Sequence, residues 1–184
     1  KFHDDYFADH SPRNRENEFY DHLSKNIILD DLFADLPELK NKRVLYYGCG
    51  ENISILDRLL AAAADVTCFD LSEVALKKIR AKYPSAKLAV IDAHHLAFKK
   101  EQFDIILGRG ILHHLDIAVA LEEIKRVLTH SGVAVLIEPL GINPVISLYR
   151  ALTPSSRTKD EHPSNFRDLK TVQEKFTSGT CHYY

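Results

Sequence analysis

"KRVLYYGCGENISIL", Lys42–Leu56, decides the fold. Its first half, Arg43–Tyr47, is an apolar run of the kind that forms a strand covered on both faces. Gly48-Cys49-Gly50 then bring bare backbone to the strand end, and Ile53 opens an amphipathic stretch. Glycine permits positive φ and lets a ligand touch the main chain. The helix beyond it offers unpaired N–H groups and a positive dipole end. A plain tight turn fits the same residues, so the Gly-x-Gly alone does not decide between turn and ligand cradle.

Outward from this stretch the chain alternates. Further strand candidates are Asp65–Phe69, Lys87–Ile91, Phe103–Leu107 and Val133–Ile137. Between them lie helix candidates at Ile53–Ala63, Glu73–Lys82 and Ile117–Leu128. In the last, Leu121, Ile124 and Leu128 keep the i, i+3, i+7 spacing of a buried stripe. Ser72 is placed to cap the second helix. The connection from Asp92 to Gln102 carries no clear pattern. Alternating strand and helix with short links predicts a parallel sheet with right-handed crossovers, a doubly wound α/β domain in three αβα layers. Residues 1–40 read as a helical cover in which Phe19, Leu23 and Ile27 share a face, and residues 41–184 as the single domain proper.

The 184 residues suffice for one full core. A net charge of −2 gives no basic field to attract nucleic acid or an anionic membrane. No apolar run approaches the ~20 residues of a membrane helix, and no leader-like segment opens the chain. The three cysteines are few and scattered, which reads as the reduced thiols of a cytoplasmic protein. The chain contains no methionine and starts at Lys1, and so reads as a piece of a longer product. Oligomeric state has no signature.

In such sheets ligands sit at the carboxyl ends of the strands, where strand order reverses. Gly48-Cys49-Gly50 end the first strand. Asp70 ends the second, 22 positions past Gly48, where an acid can accept hydrogen bonds from ribose hydroxyls or cap the next helix. Asp92-Ala93 follow the third after another 22 positions; a carboxylate there can accept from an exocyclic amine or serve a turn. "GRGILHHL", Gly108–Leu115, follows the fourth, and Glu138-Pro139 the fifth. A nicotinamide-binding turn wants a third glycine where Ile53 stands, and no Gly-Lys-Ser/Thr phosphate loop occurs. The ligand implied is adenosine without a phosphate chain.

With these residues in place, the chain resembles class I S-adenosylmethionine-dependent methyltransferases from about Arg43 to Pro139. "VLYYGCGEN" is similar to their glycine-rich first motif, "FDIILGRGILHHL" to their fourth-strand motif, and "EEIKRVLTHSGVAVLIEP" to the helix and fifth strand after it. "HHL" and "RVL…SG" resemble the branch that methylates small molecules. "EPLGINPVISLYRALTPSSRTKDEHP" is similar to a bacterial subgroup. The resemblance implies a Rossmann-like sheet of seven strands, of which "TSGTCHYY" would begin the sixth and the last is missing here. It implies S-adenosyl-L-methionine as cofactor, a small-molecule acceptor, and a cofactor site of Tyr47, Gly48, Cys49, Gly50, Asp70, Leu71, Asp92, Ala93 and Arg109.

The motif departs from the family pattern twice. Tyr46 stands where the family carries an acid that organises the turn and the cofactor's amino group, and Asn52 where it carries a last glycine. Asparagine tolerates the left-handed region, and Glu51 is a candidate substitute charge. Tyr46 sustains a rival reading, a methyltransferase-like binding module with weakened cofactor binding. His113 or His114 can take a proton from an acceptor hydroxyl, with His113 the choice and His114 read as packed inward. Arg109 reads as a hold on an anionic substrate or the cofactor's carboxylate, or as a surface residue. The pairs His94-His95 and His113-His114 match no metal-ligand spacing, so no metal is expected. Residues 139–170 are expected to shape the acceptor side, with Arg157, Lys159, Asp160, Glu161 and His162 as lid or solvated loop.

Overall fold

A computed structural model describes residues 29–30, 32–139, 164–176 and 178–180. The expected helical face of Phe19, Leu23 and Ile27, the polar cluster at 157–162 and most of "TSGTCHYY" lie outside these residues. At 178–180 the chain is not strand.

The described chain runs β1 Arg43–Tyr47, α1 Ile53–Ala61, β2 Asp65–Asp70, α2 Glu73–Lys82, β3 Lys87–Val90, β4 Phe103–Arg109, a 3₁₀ turn Leu112–His114, α3 Ile117–Val127, β5 Leu128–Ile137 and α4 Phe166–Lys175. All pairings are parallel and the order is β3-β2-β1-β4-β5. The order reverses between β1 and β4, so the ligand crevice of a doubly wound sheet opens beyond Tyr47 and Arg109.

Burial follows the pleat. On β1, Val44 and Tyr46 join one core layer with Ile55, Leu59, Leu76 and Ile79 from the helices on that face. Leu45 and Tyr47 join the other, with Ala120, Leu121 and Ile124 of α3. Alternate side chains of a strand point to opposite faces, so a strand between two helical layers is apolar throughout. On β4, Phe103 and Ile105 have the same parity yet pack in opposite layers; a register shift between them separates the two. Asp104, at that irregularity, takes the Arg43 main-chain N–H at 3.0 Å and the guanidinium at 3.0 and 2.7 Å. The guanidinium holds the Asp104 carboxyl down at about 2.

Several boundaries differ from the sequence reading. The first helix stops at Ala61 because Ala63 turns left-handed at φ 57°, a conformation closed to a continuing helix. Strand β4 reaches Arg109, two residues further than its apolar run. Leu128 is the first residue of β5, paired with Phe103, and not the last of the helix. Ser72 caps α2 as expected, accepting from Ala75 N at 3.2 Å. The cap of α3 is Asp116, whose carboxylate takes Ala118 N and Val119 N.

The unpatterned connection after β3 is ordered from outside itself. Arg126 on α3 donates to Phe98 O at 2.8 Å and Leu96 O at 2.7 Å. Glu123 accepts from Leu96 N at 2.7 Å and from the Arg126 guanidinium. One ion pair on a helix therefore supplies the main-chain partners that this segment lacks.

Candidate cofactor site

The glycine turn is a close approach. Gly48 and Gly50 take φ 59° and 52°, and a Cβ on Gly48 would lie 2.5 Å from Ile111 Cγ1. No side chain fits between β1 and the loop after β4. Asn52, by contrast, has φ −78° and stands at the N-cap of α1 without a side-chain cap bond. The left-handed tolerance expected of it is not used. Glu51 pairs with Lys78 of α2 on the surface, so its charge is spent there and does not replace the missing acid.

Asp70 ties this turn to the second strand. Its Oδ2 accepts from Gly50 N at 2.7 Å and its Oδ1 from Ser72 N at 2.9 Å. The sequence alternatives were ribose acid or helix cap; the structure makes Asp70 the bolt between glycine turn and α2 entry, and leaves the cap to Ser72. An ionised carboxylate has about four lone-pair sites, so two backbone bonds leave capacity for hydroxyls at the crevice. Leu71 beside it is 49% exposed, an apolar side chain held open at a strand end.

Tyr47 and Cys49 are buried, at 0% and 2% exposure. The Tyr47 hydroxyl donates to Ala93 O at 3.0 Å, and its ring meets Phe69 edge-on at 4.9 Å. Cys49 N donates to Phe69 O, and the Cys68 contact and burial push the Cys49 thiol well up. Neither side chain is therefore open to a ligand. Ala93 is likewise buried, with its carbonyl committed to Tyr47.

Asp92 and Asp70 share one edge: Ile91 N donates to Asp70 O at 3.1 Å, and Asp92 is the next residue. Asp92 Oδ1 accepts from His94 N and faces His94 Nδ1, both at 2.9 Å. The His94 contacts hold the Asp92 carboxyl below its ordinary range. His94 Nε2 in turn accepts from Asp116 N at 2.9 Å, which places the ring proton on Nδ1, toward Asp92.

The histidine assignment is reversed in one respect. His113, not His114, is the buried member, at 7% exposure. Glu138, at the end of β5, accepts from the N–H groups of Ile111, Leu112 and His113, and its Oε2 lies 2.7 Å from His113 Nδ1. With three main-chain donors on it, Glu138 serves as acceptor, so the His113 proton sits on Nδ1, toward Glu138. The His113 and His114 ring centroids lie 4.1 Å apart with the planes tilted by 40°. His114 lines an open groove of about 550 Å³ with Leu115, Asp116, Ile117, Asp168 and Thr171. The sequence reading gave Glu138 no role; its place at a strand end was the available signal. Among the described residues no three His, Cys, Asp or Glu side chains converge as a metal site, and no helix is long and apolar enough to cross a membrane.

A parallel sheet reversing between β1 and β4, a positive-φ glycine turn and an acid bolted beneath it define the S-adenosylmethionine-dependent class I methyltransferase fold. The chain belongs to the methyltransferase domain family, whose model matches residues 45–136, half of its length. It is 35% identical over 89 residues to EEF1A lysine methyltransferase 4 of Bos taurus, covering 45% of this chain and 35% of that protein. It is 35% identical over 85 residues to demethylmenaquinone methyltransferase of Chlorobaculum parvum, covering 45% and 35%. The S-adenosylmethionine dependent methyltransferase of Mesorhizobium loti superposes with a TM-score of 0.55 at 27% identity, over 60% of this chain and 53% of that one. The chain thus spans about a third of the length of these two curated relatives.

Proposed function

We propose that this chain forms the cofactor-binding domain of an enzyme that transfers the methyl group of S-adenosyl-L-methionine to a small-molecule acceptor. The observation that carries it is Asp70, whose carboxylate holds Gly50 N and Ser72 N at the mouth of the crevice. The residues fit the cofactor chemically. Asp70 retains acceptor capacity for ribose hydroxyls, Leu71 offers an exposed apolar face for a purine, and Asp92 accepts from an exocyclic amine. Tyr47, Gly48, Cys49 and Gly50 bring main chain to the crevice at a turn where Gly48 has no room for a Cβ, and Ala93 lies beside it, its carbonyl held by the Tyr47 hydroxyl.

The cofactor supplies a methyl group on a positively charged sulfur, already activated toward nucleophiles. The chain's share is alignment, which can be worth ~7–11 kcal/mol. His113 is the candidate base for the acceptor's proton, and Glu138 at 2.7 Å from Nδ1 fixes its tautomer and ring plane. Residues 139–170 are our candidate for the acceptor side; of the described ones, Ser164 N donates to Pro139 O at 3.2 Å at the end of β5. The relative named demethylmenaquinone methyltransferase and a net charge of −2 support a small-molecule acceptor over a nucleic acid.

Calorimetry with S-adenosylhomocysteine tests the cofactor site. The wild type is expected to bind, and Asp70→Asn to bind at least tenfold more weakly. Incubation of methyl-labelled S-adenosylmethionine with separated metabolite and protein extracts tests the acceptor. Label in the metabolite fraction supports the reading; label confined to protein removes the small-molecule assignment.

A further inference from the structure

His94 bridges two loops whose strands do not pair. β3 is the edge of the described sheet, and β2 and β1 lie between it and β4. The loop after β3 and the segment after β4 nevertheless share one imidazole. His94 Nδ1 stands 2.9 Å from Asp92 Oδ1, and His94 Nε2 accepts from Asp116 N at 2.9 Å. Asp116 is the N-cap of α3, just past the turn that carries His113 and His114. The ring is thus a strut between the cofactor edge and the start of a helix, with footholds 22 residues apart in the chain.

The residue type suits the task. A neutral imidazole holds one donor and one acceptor at fixed positions on a flat ring. Asparagine and glutamine carry both on a single rotating amide. The main-chain N–H of Asp116 can only donate, so the donor side of the ring faces Asp92.

Asp92 is a carboxylate that needs such a support. Its side chain is 50% exposed, and an exposed side chain spreads over several rotamers unless a partner holds it. His94 N and His94 Nδ1 both meet the same oxygen, Oδ1. Among the described residues Oδ2 accepts no hydrogen bond, so one oxygen is anchored and the other is left to a ligand.

We propose that His94 is a positioning residue for purine recognition: it braces Asp92 against the N-cap of α3, so that the second oxygen of Asp92 is held toward the purine's exocyclic amine. Selectivity for adenine over a purine without that amine then depends on a side chain that does not itself contact the base. This rests on the cofactor reading above, and its test separates the two.

Calorimetry compares S-adenosylhomocysteine with its analogue that carries hydrogen in place of the exocyclic amine. The wild type is expected to bind the amine-bearing ligand at least tenfold more tightly. His94→Gln keeps an acceptor within reach of Asp116 N–H, and so keeps the loop seated, but gives up the ring contact with Asp92. It should bind S-adenosylhomocysteine about fivefold or more weakly and the analogue within about twofold of wild type. His94→Ala should show the same split. In an Asp92→Ala background, His94→Gln should cost nothing further, because residues that act through one contact are non-additive. Equal losses on both ligands, full additivity with Asp92→Ala, or wild-type selectivity in His94→Gln would overturn the role of His94 and leave the cofactor reading intact. So would a wild type that binds both ligands equally. A wild type that binds neither would overturn both.

Discussion

Glu138 Oε2 lies 2.7 Å from His113 Nδ1, across the gap between β5 and the turn after β4. The same carboxylate collects three successive main-chain N–H groups of that turn. Removal of the negative charge is therefore expected to misplace both the turn and the ring. Glu138→Gln presents an amide N–H that can face the His113 nitrogen, favouring the other tautomer. We expect at least a tenfold loss of kcat with KM for the cofactor changed less, and a displaced His113 resonance in ¹⁵N NMR. Unchanged kcat and an unchanged ring signal would remove Glu138 as a positioning residue.

Gly48→Ala meets Ile111 and a positive φ together. The left-handed conformation alone costs ~1–2 kcal/mol for an ordinary residue, and the 2.5 Å approach adds to it. A lower denaturation midpoint and loss of S-adenosylhomocysteine binding are the expected pair. Trimming Ile111 to Ala in the same chain should restore part of the stability, because it removes the clash but not the strained φ.

Arg126→Leu tests whether the loop after β3 is held from outside. Leu96 O and Phe98 O would each lose their donor, and Glu123 its partner. Unsatisfied acceptors of this kind cost ~1–3 kcal/mol each when buried; the partial exposure here points to the lower end. Amide hydrogen exchange should rise first at residues 94–102, while the β1–β4 amides keep their protection.

The Arg43–Asp104 pair sets an acid limb. The Asp104 carboxyl is depressed to about 2 from an ordinary 3.8, so it contributes stability above the ordinary value and loses it as pH falls through the depressed one. Asp104→Asn should therefore lower the melting temperature at pH 7, through a destabilisation on the order of 1 kcal/mol given its partial solvent exposure. The difference from wild type should shrink between about pH 4 and pH 2 and vanish below. A difference that persists unchanged at pH 2 would exclude the ion pair as its source.

Much of the fold was legible because burial on both faces leaves long apolar runs. Arg43–Tyr47 and Phe103–Leu107 read as strands covered on both faces, and the glycines and acids beyond the apolar runs as residues at strand ends. Boundaries were less legible where structure depends on partners distant in sequence. The apolar run ends at Leu107, yet β4 continues to Arg109 because β5 supplies a pairing partner, Ile137. Nothing local marks Ala63 as left-handed, since alanine is a helix former.

The order of strand, glycine turn, helix and acid was set by the sequence alone, because apolar periodicity and the backbone freedom of glycine act between near neighbours. What each acid and each histidine touches was set only by the tertiary structure. Asp70 reaches Gly50, Glu138 reaches His113 and Arg126 reaches Leu96 across 20, 25 and 30 residues. Those contacts exist only after the strands have been laid side by side, because hydrogen bonds require donor and acceptor within about 3 Å, a distance that no periodicity encodes.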